Sequence, residues 1–121
     1  MTVGASKTMT VRVSNIALNT TTSGAVTIRI FRPTTATGMS FTLNAAPDWD
    51  VVTTSLYYDL TLKAGLNIAS TTTAGSRQLT GVLTRTGGTA GTYLFNTRIT
   101  NGSGGETNFD NNTQGVTFTK L

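Results

Sequence analysis

Cysteine and histidine are both missing from the 121 residues. The first absence excludes a disulfide framework. Together they exclude cysteine–histidine metal sites and any catalytic triad that needs an imidazole base. Charge is scarce as well: charged residues make up 12% of the chain, and only five are acidic, namely Asp48, Asp50, Asp59, Glu106 and Asp110. That leaves little material for paired-carboxylate chemistry of the glycosidase kind. Asp48 and Asp50 flank Trp49, but residues two apart on a strand lie side by side on one face rather than opposed across a cleft. No catalytic residue is assigned, and the chain reads as a non-enzyme. Residues 1–7 lack an apolar signal-peptide core, and no apolar run approaches the length that crosses a bilayer, so no membrane insertion is expected.

Nine basic residues leave a net charge of +4. Arg12, Arg29, Arg32, Lys63, Arg77, Arg85 and Arg98 are scattered rather than gathered into a patch with interleaved aromatics, so nucleic acid is not an expected partner. They read as arginines and lysines on the solvated faces of strands. No prosthetic group or cofactor is implied by this inventory.

What the chain has in abundance is threonine, a β-branched residue that suits a pleated, half-wet surface. No window of ten residues carries a helical period, whereas period-2 alternation recurs throughout. Met9, Val11 and Val13 alternate in the first run, and Val26, Ile28 and Ile30 in the second, which Pro33 stops because proline cannot donate to a ladder. Met39, Phe41 and Leu43 follow, then Trp49 with Val51-Val52, then Leu56, Tyr58, Leu60 and Leu62. Leu79 and Leu83 lie around Gly81, and Tyr93, Phe95 and Ile99 share a face before a last strand with Val116 and Phe118 inward. Turns rich in Gly, Thr, Asn and Pro separate these runs at intervals of roughly ten residues.

The pattern gives an all-β fold, a sandwich of two antiparallel sheets with seven or eight strands, nearest to the immunoglobulin-like type. A jelly roll or β-barrel is the alternative. Residues 1–7 read as a lead-in or linker and 8–121 as a single domain, cut from a longer multidomain protein. The expected core contains Val11, Val13, Ile28, Ile30, Trp49, Leu60, Leu79, Tyr93, Phe95 and Phe118. Tyr93, two residues before Phe95, stands where a tyrosine corner would be.

Two sites merit weighing. Glu106, Asn108 and Asp110, with Asn111 and Asn112, place calcium-type oxygen ligands in one loop, but their spacing is not that of an EF-hand. The competing reading is that Asx side chains bond their own backbone and hold the turn without an ion. Tyr57 alternates against Leu56 and Tyr58, and Phe31 against Ile28 and Ile30. Together with Trp49 they are the candidate platform for a sugar or a neighbouring protein surface.

Several motifs occur in a set order: Val13-Ser14-Asn15, Gly24-Ala25-Val26-Thr27-Ile28, Pro33 with Gly38-Met39-Ser40-Phe41, Trp49, Gly75-Ser76 and Gly91-Thr92-Tyr93. Gly104-Gly105-Glu106-Thr107-Asn108 and Asn111-Asn112 close the series. This order resembles the bacterial cell-adhesion-related domain and allied surface-protein repeats over about residues 8 to 120. The closing Glu-x-Asn-x-x-Asn-Asn is its most specific part. Ile16-Ala17 stands where that pattern has a glycine turn. The resemblance implies an immunoglobulin-like fold, secretion or display at the cell surface, tandem occurrence beside neighbouring domains of the same chain, and no shared catalytic residue. The function it implies is that of a spacer or an adhesion and presentation domain; the alternative is a carbohydrate-binding accessory module of an extracellular enzyme.

Overall fold

In the computed structural model, the residues described are 1–15, 22, 25–69, 75–99 and 113–121. The calcium-type candidates Glu106, Asn108 and Asp110 lie outside them. Among the described residues the chain forms eight strands and one short 3-10 turn. The strands are β1 (Ser6–Asn15), β2 (Thr27–Phe31), β3 (Met39–Leu43), β4 (Trp49–Thr53), β5 (Tyr57–Leu62), β6 (Gly75–Arg85), β7 (Gly91–Ile99) and β8 (Thr113–Lys120). They build a β-sandwich of two antiparallel sheets, ordered β1-β6-β3 and β4-β5-β2-β7-β8. Among the described residues both sheets are open at their edges, unlike those of a closed barrel.

Each strand follows from its alternation. In β5 the pattern of half-buried Tyr57, Asp59 and Thr61 against buried Tyr58, Leu60 and Leu62 is a clean period of two. Strand β2 ends at Phe31, two residues before Pro33, as the proline requires. The core gathers Val13, Ile28, Ile30, Trp49, Leu60, Leu79 and Phe95 from the expected set, and adds Val26, Met39, Phe41, Tyr58, Leu62, Ile68 and Leu83. Val11, Tyr93 and Phe118 are only partly buried and pack against it.

At the centre of the sandwich, β6 leaves a gap for a ring. Gly81 is a buried, inward-facing position, and a Cβ there would stand 2.2 Å from the Phe41 ring and 2.7 Å from the Thr42 carbonyl. The missing side chain lets Phe41 lie against the β6 backbone, a use of strand glycine that costs local propensity to gain a close approach. From that seat Phe41 reaches across to the other sheet. Its ring centroid lies 5.0 Å from Phe95 and 6.1 Å, edge-on, from Tyr58, within the range where aromatic pairs attract.

The eight strands alternate in direction. An even number therefore returns the chain to the pole where it began. The Met1 amino group donates to the Thr119 carbonyl at 2.6 Å, and the Leu121 amide donates to the Met1 carbonyl at 3.1 Å. Both ends thus lie side by side, contrary to the arrangement with opposite ends that a head-to-tail chain of copies needs. The expected lead-in is likewise part of the body. Gly4 donates to the Arg85 carbonyl, the Arg85 amide donates to Ala5, and β1 already begins at Ser6.

Arg85 is the second departure from expectation. Instead of facing solvent it is 3% exposed, and its guanidinium donates to the carbonyls of Gly87, Gly88, Met1 and Leu121. An arginine has five N–H donors in a fixed fork and no acceptor, so one side chain can gather carbonyls from three separate backbone segments. Lys120, also buried, donates to the Thr37 carbonyl at 2.8 Å. Two apolar assignments shift as well. Leu56 lies in the bend before β5 and is 57% exposed, and Val116 is half-exposed because β8 is an edge strand with no described strand beyond it to cover an inward residue.

Removing the Phe95 ring should cost roughly 3–5 kcal/mol in the Phe95→Ala variant, through lost burial and the cavity left beside Phe41. Adding one methyl at the centre, in Gly81→Ala, should cost about 1–3 kcal/mol, because the Phe41 ring must leave its seat. Urea unfolding of both variants checks the pair. A Gly81→Ala protein as stable as the parent would show that the ring does not depend on the bare backbone.

Candidate interaction surface

The five-stranded sheet turns one face to the core and the other outward. Cross-strand register sets what stands next to what on the outer face. Phe31 on β2 is opposite Tyr57 on β5, and Arg29 is opposite both Asp59 on β5 and Arg98 on β7. Val52 on edge strand β4 is opposite Asp59, and Thr113 on β8 is opposite Arg98. The structure therefore brings Phe31 and Tyr57 together as neighbours on one exposed sheet. Trp49 is not with them. It points inward from β4 opposite Leu62 and is 4% exposed, a core residue with no ring face available to a ligand.

Arg29 organises this face. Its Nε and Nη2 donate to the two oxygens of Asp59 at 2.7 and 2.8 Å, the parallel two-bond geometry that fits a guanidinium to a carboxylate. The same guanidinium lies 3.7 Å from the centroid of the Tyr57 ring, a cation–π stack. Donating to the Asp59 carboxylate holds the Arg29 pKa above its ordinary value. Arg98, exposed and directly opposite, adds a like charge across the strand pair. One face of the Tyr57 ring is therefore already covered, which reduces what it offers to a sugar.

The turn between β4 and β5 is fixed by Thr54. Its hydroxyl accepts from the Leu56 and Tyr57 amides and donates to the Tyr57 carbonyl. Arg32 donates to the Thr54 carbonyl at 2.7 Å and lies 4.8 Å over the Tyr58 ring. These contacts hold Tyr57 at the rim of the sheet.

A cleft was not legible in the alternation. Beside the turn that follows β5 lies an open cleft of about 580 Å³, walled by Val26, Asp50, Leu62, Lys63 and Asn67 among others. Gly65, at a φ of +85°, lets that turn close. Asp48 is paired with Arg77 at 3.3 Å, and no group of three or more His, Cys, Asp or Glu that could hold a metal ion occurs among the described residues.

Among the described residues, Tyr93 has a strongly shifted phenol. It lies half-buried opposite Phe118, and its hydroxyl makes no hydrogen bond among the described residues, so the hydroxyl-to-backbone bond of a tyrosine corner is not formed there. Burial pushes its phenol up to about 12. The folded value lies above the ordinary 10, so the contribution of Tyr93 to stability is complete below pH 10 and lost as pH rises through about 12. Ultraviolet titration should show a phenolate that forms only near pH 12 and is missing from Tyr93→Phe, and that variant should remain folded further into the alkaline window than the parent. An identical alkaline titration in the parent and in Tyr93→Phe above pH 11 would contradict this placement.

No helix among the described residues is long and apolar enough to cross a membrane. No protein-family model, curated protein or solved structure matches the chain.

Proposed function

We infer that the chain is an immunoglobulin-like, non-catalytic module of a secreted or cell-surface bacterial protein, acting as an adhesion or presentation domain. Support for the fold type comes from neighbour order. The run β1-β6-β3 corresponds to strands B-E-D of an immunoglobulin sandwich, and β8-β7-β2 corresponds to G-F-C. The β5-β4 hairpin extends the second sheet beyond β2, on the side where variable-type domains add strands, although here it follows β3 in the chain.

The observation that carries the functional reading is the meeting of both chain ends at one pole, held by Met1, Thr119, Leu121 and Arg85. Sequence joined at either end leaves from that pole. The opposite pole, with its cleft, then points away from the attachment, and the outer sheet face stands clear along the side. Such a geometry favours presentation over in-line spacing. The low-charge, threonine-rich surface suits exposed extracellular sheets.

Glycan binding through Phe31 and Tyr57 is the second reading, favoured by their side-by-side register and opposed by the Arg29 stack on Tyr57. Two measurements separate these readings. In a protein of two copies joined by a flexible linker, fluorescence energy transfer between the outer ends should report a separation well short of the ~30 Å per copy that an eight- or nine-residue strand length adds in line. Growth by that full amount would restore the in-line spacer. On a glycan array, specific binding abolished by Tyr57→Ala would replace presentation with carbohydrate recognition.

A further inference from the structure

Four strands lie at sheet edges, and three of them are guarded in recognisable ways. Strands β3 and β4 are only five residues long, and β4 carries exposed Asp50. Strand β1 is ten residues long but bears the exposed cations Lys7 and Arg12. Natural sheets use such shortness and charge to prevent edge-to-edge pairing. Strand β8 has none of this. It runs eight residues in unbroken register with β7, is free of charge and proline from Thr113 to Thr119, and is exposed from Thr113 through Thr117.

The direction of its free hydrogen-bonding groups can be read from Met1. The Thr119 carbonyl and the Leu121 amide both bond to Met1, so they point away from β7. Backbone groups alternate sides along a strand in an antiparallel pair. The N–H and C=O of Thr113, Gly115 and Thr117 therefore face outward on the same edge. Among the described residues only Met1 bonds to that edge, and it does so past the stretch 113–117.

That stretch reads Thr-Gln-Gly-Val-Thr, which is nearly symmetric about Gly115. We propose that the free edge of β8 is a self-association surface, pairing antiparallel with β8 of a second copy of this chain across a two-fold axis at Gly115. In that register each Thr113 stands opposite the other copy's Thr117, and the glycines face one another. Opposed hydroxyl pairs are already used inside both sheets: Ser6 bonds Thr84 at 2.8 Å and Thr27 bonds Thr61 at 3.3 Å, each pair being direct register partners. Isologous pairing of this kind closes on itself and yields one ten-stranded sheet.

Apolar groups flank the edge on both faces. Leu94 is 55% exposed and leans over Gly115, where a Cβ would stand 2.7 Å from its methyl carbon; Val116, 50% exposed, lies on the inner side. Both would gain cover in the dimer. The nearest exposed cation on the outer face, Arg98 opposite Thr113, would be separated from its copy by about 20 Å, from three strand spacings and four residues of rise. That exceeds the screening length of roughly 8 Å at physiological salt. The net charge of +4 therefore does not oppose this contact locally.

Sedimentation equilibrium on the whole chain tests the proposal. The mass should rise with concentration from monomer to dimer. Thr117→Pro removes an outward N–H without touching the β7–β8 ladder, and should weaken dimerisation at least tenfold with the circular-dichroism spectrum unchanged. Should that variant not fold, Gly115→Lys carries the same test by setting two ammonium groups face to face, with Leu94 moving aside. In the double variant Thr113→Lys with Thr117→Glu, each lysine meets the other copy's glutamate only in this register. That variant should dimerise with a new dependence on salt. A chain that stays monomeric at millimolar concentration overturns the proposal. So does a dimer that survives both Thr117→Pro and Gly115→Lys, or a double variant whose dimer is indifferent to salt.

Discussion

The sandwich depends on one close approach, the ring of Phe41 against the bare backbone of Gly81. A small β domain must fill the space between its sheets with few side chains, and here a central position of β6 contributes none. The gap is filled from β3, next to β6 in the same sheet, by a ring large enough to reach Phe95 and Tyr58 in the other. Three aromatic rings thereby tie the three-stranded sheet to the five-stranded one at the middle, alongside the fully buried aliphatic residues Ile28, Ile30, Leu60 and Leu83. The arrangement trades β-propensity at residue 81 for directional contacts between ring edges and faces.

Closure at the pole works by different physics. Apolar packing thins out where β1 begins and β8 ends, and the pole is held by cations donating to backbone carbonyls. Arg85 serves four such carbonyls and Lys120 serves one. A buried charge is costly unless its donors are satisfied. The guanidinium meets that condition by its geometry, with one fork shared among the start of the chain, its end and the turn after β6. The position of the chain ends, on which the presentation reading rests, is therefore set by a single side chain as much as by the parity of the strands.

The outer face shows how a charge can be spent locally. Arg29 is bound to Asp59 and stacked on Tyr57, so its position is fixed by two partners on the neighbouring strand. An ion pair at such a surface contributes little to stability unless its geometry is bidentate, as here. Arg98 is left as the exposed cation of that row, while the aromatic pair keeps only part of its surface open. A ligand arriving at Tyr57 meets a ring already polarised by a guanidinium, and a flat apolar sugar face gains less there than on a bare ring.

The eight strands were legible because alternation is a direct consequence of the pleat: a residue and its second neighbour share a face whatever the fold. Pro33 and the glycine-rich turns placed the boundaries for equally local reasons. What alternation does not encode is a strand's place within its sheet. Val116 alternates as cleanly as Ile30, yet Ile30 lies on a strand with neighbours on both sides and is fully buried, while Val116 lies on an edge and is half-exposed. The same limit hid Arg85, whose position is inward by parity and whose charge argued for the opposite. Two of the carbonyls that satisfy it come from Met1 and Leu121, far from Arg85 in the sequence, so nothing near Arg85 announces them. Tyr57 and Phe31 were visible as outward aromatics, but their adjacency and the Arg29 cap depend on which strand lies beside β2. That pairing follows from topology, and topology is set by the packing of the whole chain rather than by any one stretch of it.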